Sequence, residues 1–297
     1  MPSTDKRVLI TGANKGIGKA TVTAVLNASD DTFVFLGSRS VERGERARAD
    51  ILAEHPEWVD RVEVLQIDVG DDASVAAAAE TARAKFEGVR LLYGVVNNAG
   101  IGRSSGGMRA ILNVNARGPH RVCEAFMSLI EEGGRIVNVS SASGPTFVAG
   151  CSDERRRTLT SPDVTWSDVE RIMGECLAIE EADGDFEAAG FGGGDSYGLS
   201  KACLNAYTIE LARQHPELTI NACTPGFIET DMTQPYLESS GKSADEMGMK
   251  SPSQGTKVSI HLLLEEVGAS GWFFGSDARR SPLDRYRSPG DPPYQGD

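Results

Sequence analysis

The sequence predicts a doubly wound α/β architecture, a parallel sheet with helices on both faces, and three observations carry that expectation. Short apolar runs rich in β-branched residues alternate with helix-like stretches of ten residues or more between Arg7 and Val96, a pattern that calls for a parallel sheet with crossover helices. The first run breaks into Gly12-Ala13-Asn14-Lys15-Gly16-Ile17-Gly18 just before a helical stretch. The 297 residues are 40% hydrophobic, enough for a substantial core, and one domain over residues 1–297 is the organisation expected.

Arg7–Thr11 reads as the first strand, and Gly18 onward as a helix through about Ser29. Glycines between them permit a tight turn and a close approach of the backbone to a phosphate, while the helix N-terminus offers unpaired N–H groups. Gly12, Asn14, Lys15, Gly16, Ile17 and Gly18 are therefore candidate cofactor-binding residues, and a bare glycine turn is the alternative. Thr32–Gly37 is the second strand and Val41–Glu54 the second helix. A dinucleotide site selecting a free ribose 2′-hydroxyl places an acidic side chain near here, whereas a 2′-phosphate calls for arginine. No carboxylate lies between Thr32 and Val41, so Arg39 and Lys15, with Arg43, are assigned to a phosphate. Arg46 and Arg48 read as a solvated helix face.

Val62–Ile67 is the third strand, followed by Asp68 and Val69. There a carboxylate can accept from an adenine amino group, or else cap the helix expected over Asp72–Phe86. Leu91–Val96 is the fourth strand, and the small residues and amides of Asn97-Asn98-Ala99-Gly100 after it suit close approach to a cofactor. The next helix carries Asn115, for which a buried structural role is the default. Gly134–Ser141 reads as a fifth strand ending in hydroxyls, with Ser141 placed to donate to a ligand oxygen or to serve as a turn residue. Tyr197 and Lys201, four residues apart, share one helix face. A cation near the phenol lowers its pKa from about 10 and opens general acid–base chemistry; a chance pair on a solvated helix is the competing reading.

Composition narrows the partners. A net charge of −13 argues against nucleic acid or an anionic membrane. His55, His120, His215 and His261 are isolated, so no metal site is expected. Five scattered cysteines without a C-x-x-C pair read as reduced, buried thiols. No apolar run is long enough to cross a bilayer, and residues 1–7 lead into a strand rather than a signal-peptide core, so a cytoplasmic location is expected.

In order, Thr11-Gly12-x-x-x-Gly16-Ile17-Gly18, Asp68, Asn97-Asn98-Ala99-Gly100, Asn115, Ser141, Tyr197-x-x-x-Lys201 and Pro225-Gly226 resemble the short-chain dehydrogenase/reductase family over about residues 7–275. Within it, Asn14-Lys15, Arg39 and the long gap from Ser141 to Tyr197 resemble the NADPH-dependent carbonyl reductases. The resemblance implies a Rossmann-type fold, NADPH/NADP+ as cofactor and a small-molecule carbonyl substrate. It implies Tyr197 as proton donor, Ser141 as the hydroxyl that polarises the carbonyl, Lys201 on the nicotinamide ribose and Asn115 in a water relay. It also places the Ile228 backbone and the Thr230 hydroxyl, after Pro225 and Gly226, on the carboxamide. A binding protein without turnover and an alcohol dehydrogenase working oxidatively are the alternatives.

Two departures from the family stand out. The segment from Gly100 to Asn115 is short, which implies a missing helical turn or lid segment. The stretch from Ser141 to Tyr197 is long, and this insertion, about residues 142–195, carries Ser167-Asp168-Val169-Glu170 as a capping box. Val169, Ile172, Met173, Cys176 and Leu177 then follow at helical spacing. In the similar carbonyl reductases such an insertion covers the helices through which other members form tetramers, so a monomer is expected. Gly190–Gly194 reads as a flexible return, 231–250 as a substrate lid, Ser253–Glu266 as a helix, Trp272–Phe274 as a closing strand, and 281–297 as a loosely packed tail.

Overall fold

A computed structural model describes residues 6–86 and 92–296; Leu91 of the expected fourth strand and the expected lead-in at residues 1–5 lie outside the described residues. Among the described residues, eight strands form one sheet in the order β3-β2-β1-β4-β5-β6-β7-β8. They are β1 Lys6–Ile10, β2 Thr32–Ser38, β3 Val62–Gln66, β4 Leu92–Asn97, β5 Ile130–Val139, β6 Thr219–Cys223, β7 Phe273–Phe274 and β8 Arg280–Ser281. All pairs are parallel except β7 with β8. The fold class is the Rossmann-type α/β sheet expected, with the order reversing between β1 and β4.

Side-chain alternation along the strands builds two core layers. Leu9, Phe33 and Phe35 face one side with Val75, Val122 and Leu204; Val8, Ile10, Val34 and Leu36 face the other with Val22, Val25, Ala47, Ile51 and Leu262. Burial on both faces explains why β2 is inaccessible along its whole length. The covering helices are α1 Gly16–Ala28, α2 Val41–Glu54, α3 Asp72–Lys85, α4 Met108–Leu112 and α5 Gly118–Phe126. They continue with α6 Ser143–Ala149, α7 Asp153–Thr160, α8 Trp166–Glu181, α9 Ser196–Gln214, α10 Gln234–Ser240 and α11 Lys257–Leu264.

Several boundaries differ from expectation for local reasons. α1 starts at Gly16, inside the glycine loop. β5 starts at Ile130 because Leu92 pairs with Ile130 and Gly94 with Arg135, a bulge that accommodates Gly133 at φ 79°. The helix of the insertion is capped two residues earlier than Ser167: the Thr165 hydroxyl accepts from Asp168 N–H (3.2 Å), and the Asp168 carboxylate accepts from Thr165 N–H (3.2 Å). Its stripe of Val169, Ile172, Met173, Cys176 and Leu177 packs, as the spacing predicts, with Leu199, Ala202, Cys203 and Ala206 of α9 in a third core.

Gly190, Gly192 and Gly194 adopt left-handed conformations, and Phe191 between them is 1% exposed, so this return is pinned by its own side chain. The tail is anchored as well. The Arg287 guanidinium donates to Asp277 (2.8 Å) with both side chains largely buried, and Arg280 lies 3.9 Å over the Trp272 ring. All five cysteines are buried free thiols.

Candidate active site

The crevice at the carboxyl ends of β1 and β4 is shaped by glycines. Gly12 and Gly16 have φ of 63° and 53°. A Cβ on Gly12 would lie 2.7 Å from Ala99 Cα, and one on Gly18 would lie 2.4 Å from the Gly12 carbonyl oxygen. The loop is held from the β4 side. The Asn98 amide donates to the carbonyls of Thr11 (2.9 Å) and Gly12 (3.2 Å), while the Thr11 hydroxyl accepts from the N–H groups of Asn98 and Ala99. Asn98 thus fixes the loop's shape. The N-terminus of α1 has no side-chain cap and no acidic residue in its first turn, which leaves its N–H groups and positive dipole end for an anion.

Around this loop the predicted charges are spread unequally. Lys15 pairs with Asp231 at 2.6 Å. Arg39, mostly in solvent, has Nε 3.9 Å from an Asp68 carboxylate oxygen, and Arg43 is exposed in the first turn of α2. Arg46 pairs with Glu42, whereas Arg48 donates to the carbonyl of Val62 (2.7 Å) and is a structural clamp rather than a solvated residue. Asp68 does not cap α3. That role falls to Asp71, whose carboxylate accepts from Ser74 N–H, while Asp68 Oδ1 accepts from Gly70 N–H (3.0 Å). Val69 turns its side chain into the core and its carbonyl accepts from Arg121.

Ser141, Tyr197 and Lys201 converge beside the crevice because α6 and α9 approach closely. A Cβ on Gly144 would stand 3.0 Å from the Lys201 carbonyl carbon, and one on Gly198 would stand 2.9 Å from Phe147 Cβ; neither glycine was singled out in the sequence. Burial pushes the Tyr197 phenol up, while hydrogen bonding with Ser141 and the nearby Arg103 cation pull it down. Lys201 is 4% exposed, donates to the Val139 carbonyl (3.0 Å), and is lowered by burial from 10.5 to about 8. Asn115 sits in a π-helical turn, Asn113–Arg117, a deformation frequent at functional sites. Its amide accepts from Ile101 N–H (2.8 Å) and donates to the Ile101 carbonyl (3.0 Å) and the Ser200 hydroxyl (3.1 Å). Gly100 lies against both, since its Cβ would be 3.4 Å from Asn115 Oδ1 and 3.8 Å from Lys201 Nζ.

The segment after β6 closes over the glycine loop. Gly226 has φ 97° and follows Pro225; Ile228 is buried and bridges to Lys250. Thr230 lies next to Gly16, whose Cβ would be 3.4 Å from it. Within 231–250 lies α10, and its Tyr236 accepts from Arg103 (2.9 Å). The short segment after Gly100 is docked on the insertion, since Met108 N–H donates to Glu180 and Arg109 pairs with Glu181. A cavity of about 330 Å³ is lined by Arg103, Ala142, Ser143, Thr146, Asp195 and Tyr286. Sequence reasoning missed Arg103, Asp195 and Tyr286. Among the described residues no cluster of three or more His, Cys, Asp or Glu could hold a metal ion, and no helix is long and apolar enough to cross a membrane.

The comparisons with known proteins agree with this geometry. The model of the short chain dehydrogenase family matches residues 6–152. The (+)-neomenthol dehydrogenase of Arabidopsis thaliana is 32% identical over 91% of this chain and 96% of its own length. Carbonyl reductase (NADPH) 1 of Homo sapiens is 28% identical over 89% of this chain and 92% of its own. The structure of menthone neomenthol reductase from Mentha piperita superposes with a TM-score of 0.73 at 28% identity, covering 91% of this chain and 98% of that one. With the glycine crevice, the Tyr197 and Lys201 pair and these matches in hand, the chain belongs to the short-chain dehydrogenase family.

Proposed function

We propose that the protein reduces the carbonyl group of a small aldehyde or ketone with NADPH, with Tyr197 as proton donor. The observation that carries this reading is the meeting of Ser141, Tyr197 and Lys201 beside a glycine crevice whose helix N-terminus is left uncapped. The crevice fits a dinucleotide: Gly12 and Gly18 let the loop pack against Ala99 and on itself where a Cβ has no room, and the first turn of α1 offers free N–H groups for the pyrophosphate. Arg39, Lys15 and Arg43 would hold the 2′-phosphate, Asp68 the adenine amino group, Lys201 the nicotinamide ribose, and Ile228 and Thr230 the carboxamide. When bound, the cofactor supplies the hydride.

Ser141 donates a hydrogen bond to the substrate carbonyl oxygen and orients it. As negative charge grows on that oxygen, the Tyr197 hydroxyl delivers its proton, so both donors act more strongly on the transition state than on the ground state. Burial of the phenol keeps it protonated at neutral pH, as an acid must be. The cavity lined by Ser143, Thr146 and Tyr286 takes the rest of the substrate. Consumption of NADPH across aldehydes, ketones and quinones, menthone among them, tests the assignment; bound cofactor without turnover of any of them defeats it. The protein acts as a single-domain monomer, because α8 packs its apolar stripe on α9. A stable tetramer by size-exclusion chromatography with light scattering would contradict that.

A further inference from the structure

Building on the reading of Tyr197 as proton donor, we propose that Arg103 is a positioning residue for the reaction, a cation clamped over the phenol ring that ties the catalytic helix α9 to α10. Its guanidinium lies 5.2 Å from the Tyr197 ring centroid. Nε and Nη2 donate to the two Asp195 carboxylate oxygens at 2.8 and 2.5 Å, and Nη1 donates to the Tyr236 hydroxyl at 2.9 Å. The same Asp195 caps α9 by accepting from Tyr197 N–H (3.2 Å). Three segments far apart in the chain therefore meet on one tyrosine: the loop after β4, the first turn of α9 and α10.

The charged and titratable groups facing the phenol are Arg103, Asp195 and Tyr236, with Ser141 hydrogen-bonded to it. Lys201 stands on the same helix, its Nζ 5.7 Å from the ring centroid and held by the Val139 carbonyl, and Tyr286 lines the adjoining cavity. Arg103 favours the phenolate and Asp195 opposes it. The bidentate pair thus sets two opposed influences on the proton donor, and the planar fork holds their geometry as a lysine would not.

Those opposed signs separate positioning from mere scaffolding. Arg103→Met removes the cation, while Asp195→Asn keeps an oxygen for the cap and removes the counter-charge. In each variant the Tyr197 phenol is titrated by ultraviolet difference absorbance against the same variant carrying Tyr197→Phe, and the pH profile of kcat is measured alongside. A charge about 5 Å from a buried phenol, partly screened by the solvent that reaches Arg103 and Asp195, is worth on the order of one pH unit. Arg103→Met is expected to move the phenol titration and the alkaline limb of reduction up by about that amount, and Asp195→Asn to move both down. Arg103→Lys, the milder change if the methionine variant fails to fold, retains the charge but not the fork that holds it over the ring, and gives a smaller upward move. Titrations that stay in place, or that move in the same direction in the Arg103 and Asp195 variants, overturn the proposal. Absence of turnover in the wild type with the opposed titration shifts intact overturns the carbonyl-reduction reading instead, and leaves the coupling of Arg103 to Tyr197 standing.

Discussion

Lys201 should make the protein less stable than it would be without it. The residue is 4% exposed, and burial lowers its ammonium pKa from 10.5 to about 8. At about 1.4 kcal/mol per pH unit, carrying that charge at pH 7 costs the folded state about 3 kcal/mol. The unfolded chain holds the proton up to pH 10.5, the folded chain only up to about 8, so the unfolded state binds more protons between these values and stability rises with pH there. Lys201→Met removes the cost and leaves the Val139 carbonyl without its donor, a loss of about 1 kcal/mol. The net gain at pH 7 is about 2 kcal/mol, a rise in Tm on the order of 5 °C for a chain of this size. Denaturant unfolding of both proteins without cofactor, from pH 7 to 10.5, reads the difference. The thiols of Cys123, Cys151, Cys176 and Cys203 are pushed up by burial and weaken both proteins alike as the solution turns alkaline. The gap between the proteins should shrink between pH 8 and 10.5. A variant less stable than wild type at pH 7, or a gap that does not change with pH, refutes the reasoning.

Three other substitutions probe the crevice and the insertion. Gly18→Ala forces a methyl to 2.4 Å from the Gly12 carbonyl oxygen and 2.5 Å from the Asn98 amide; calorimetry should register at least about tenfold weaker NADPH binding, as expected for a phosphate loop that must shift. Arg39→Ala should weaken NADPH about tenfold and leave NADH unchanged by fluorescence titration, since a charge-assisted phosphate contact is worth about 1.5 kcal/mol; equal responses would remove Arg39 from the 2′-phosphate site. Thr165→Ala deletes the N-cap of α8 and should cost about 1 kcal/mol of stability in urea, with cofactor affinity retained.

The parallel sheet was legible because its strands are buried on both faces and its helices recur between them. The glycine loop was legible because close approach leaves no chemical substitute for glycine at Gly12 and Gly18. The stripe on α8 was readable from Val169 to Leu177, but its cap was displaced to Thr165, because Thr165-x-x-Asp168 and Ser167-x-x-Glu170 are equivalent signals in a string of letters. Arg103 could not be found, since it lies in an aperiodic loop and its partners Asp195 and Tyr236 are 92 and 133 residues away. The tail misled for the same reason. Its prolines and glycines signal loops, while the Asp277 and Arg287 contact that anchors it is a tertiary event. Lys201 was expected to be the cation acting on Tyr197; its Nζ lies 5.7 Å from the phenol ring while donating to the Val139 carbonyl, and Arg103, 5.2 Å from the same ring, is a second cation that the letters did not reveal.

The central claim is that Tyr197 delivers the proton in an NADPH-dependent carbonyl reduction. Its most direct test is turnover of the best carbonyl substrate by wild type and Tyr197→Phe, with NADPH affinity measured on both. The account predicts a fall in kcat of about a hundredfold or more with NADPH binding little changed, because the phenol oxygen is lost while the ring and the glycine crevice remain. Undiminished turnover in the phenylalanine variant would contradict it.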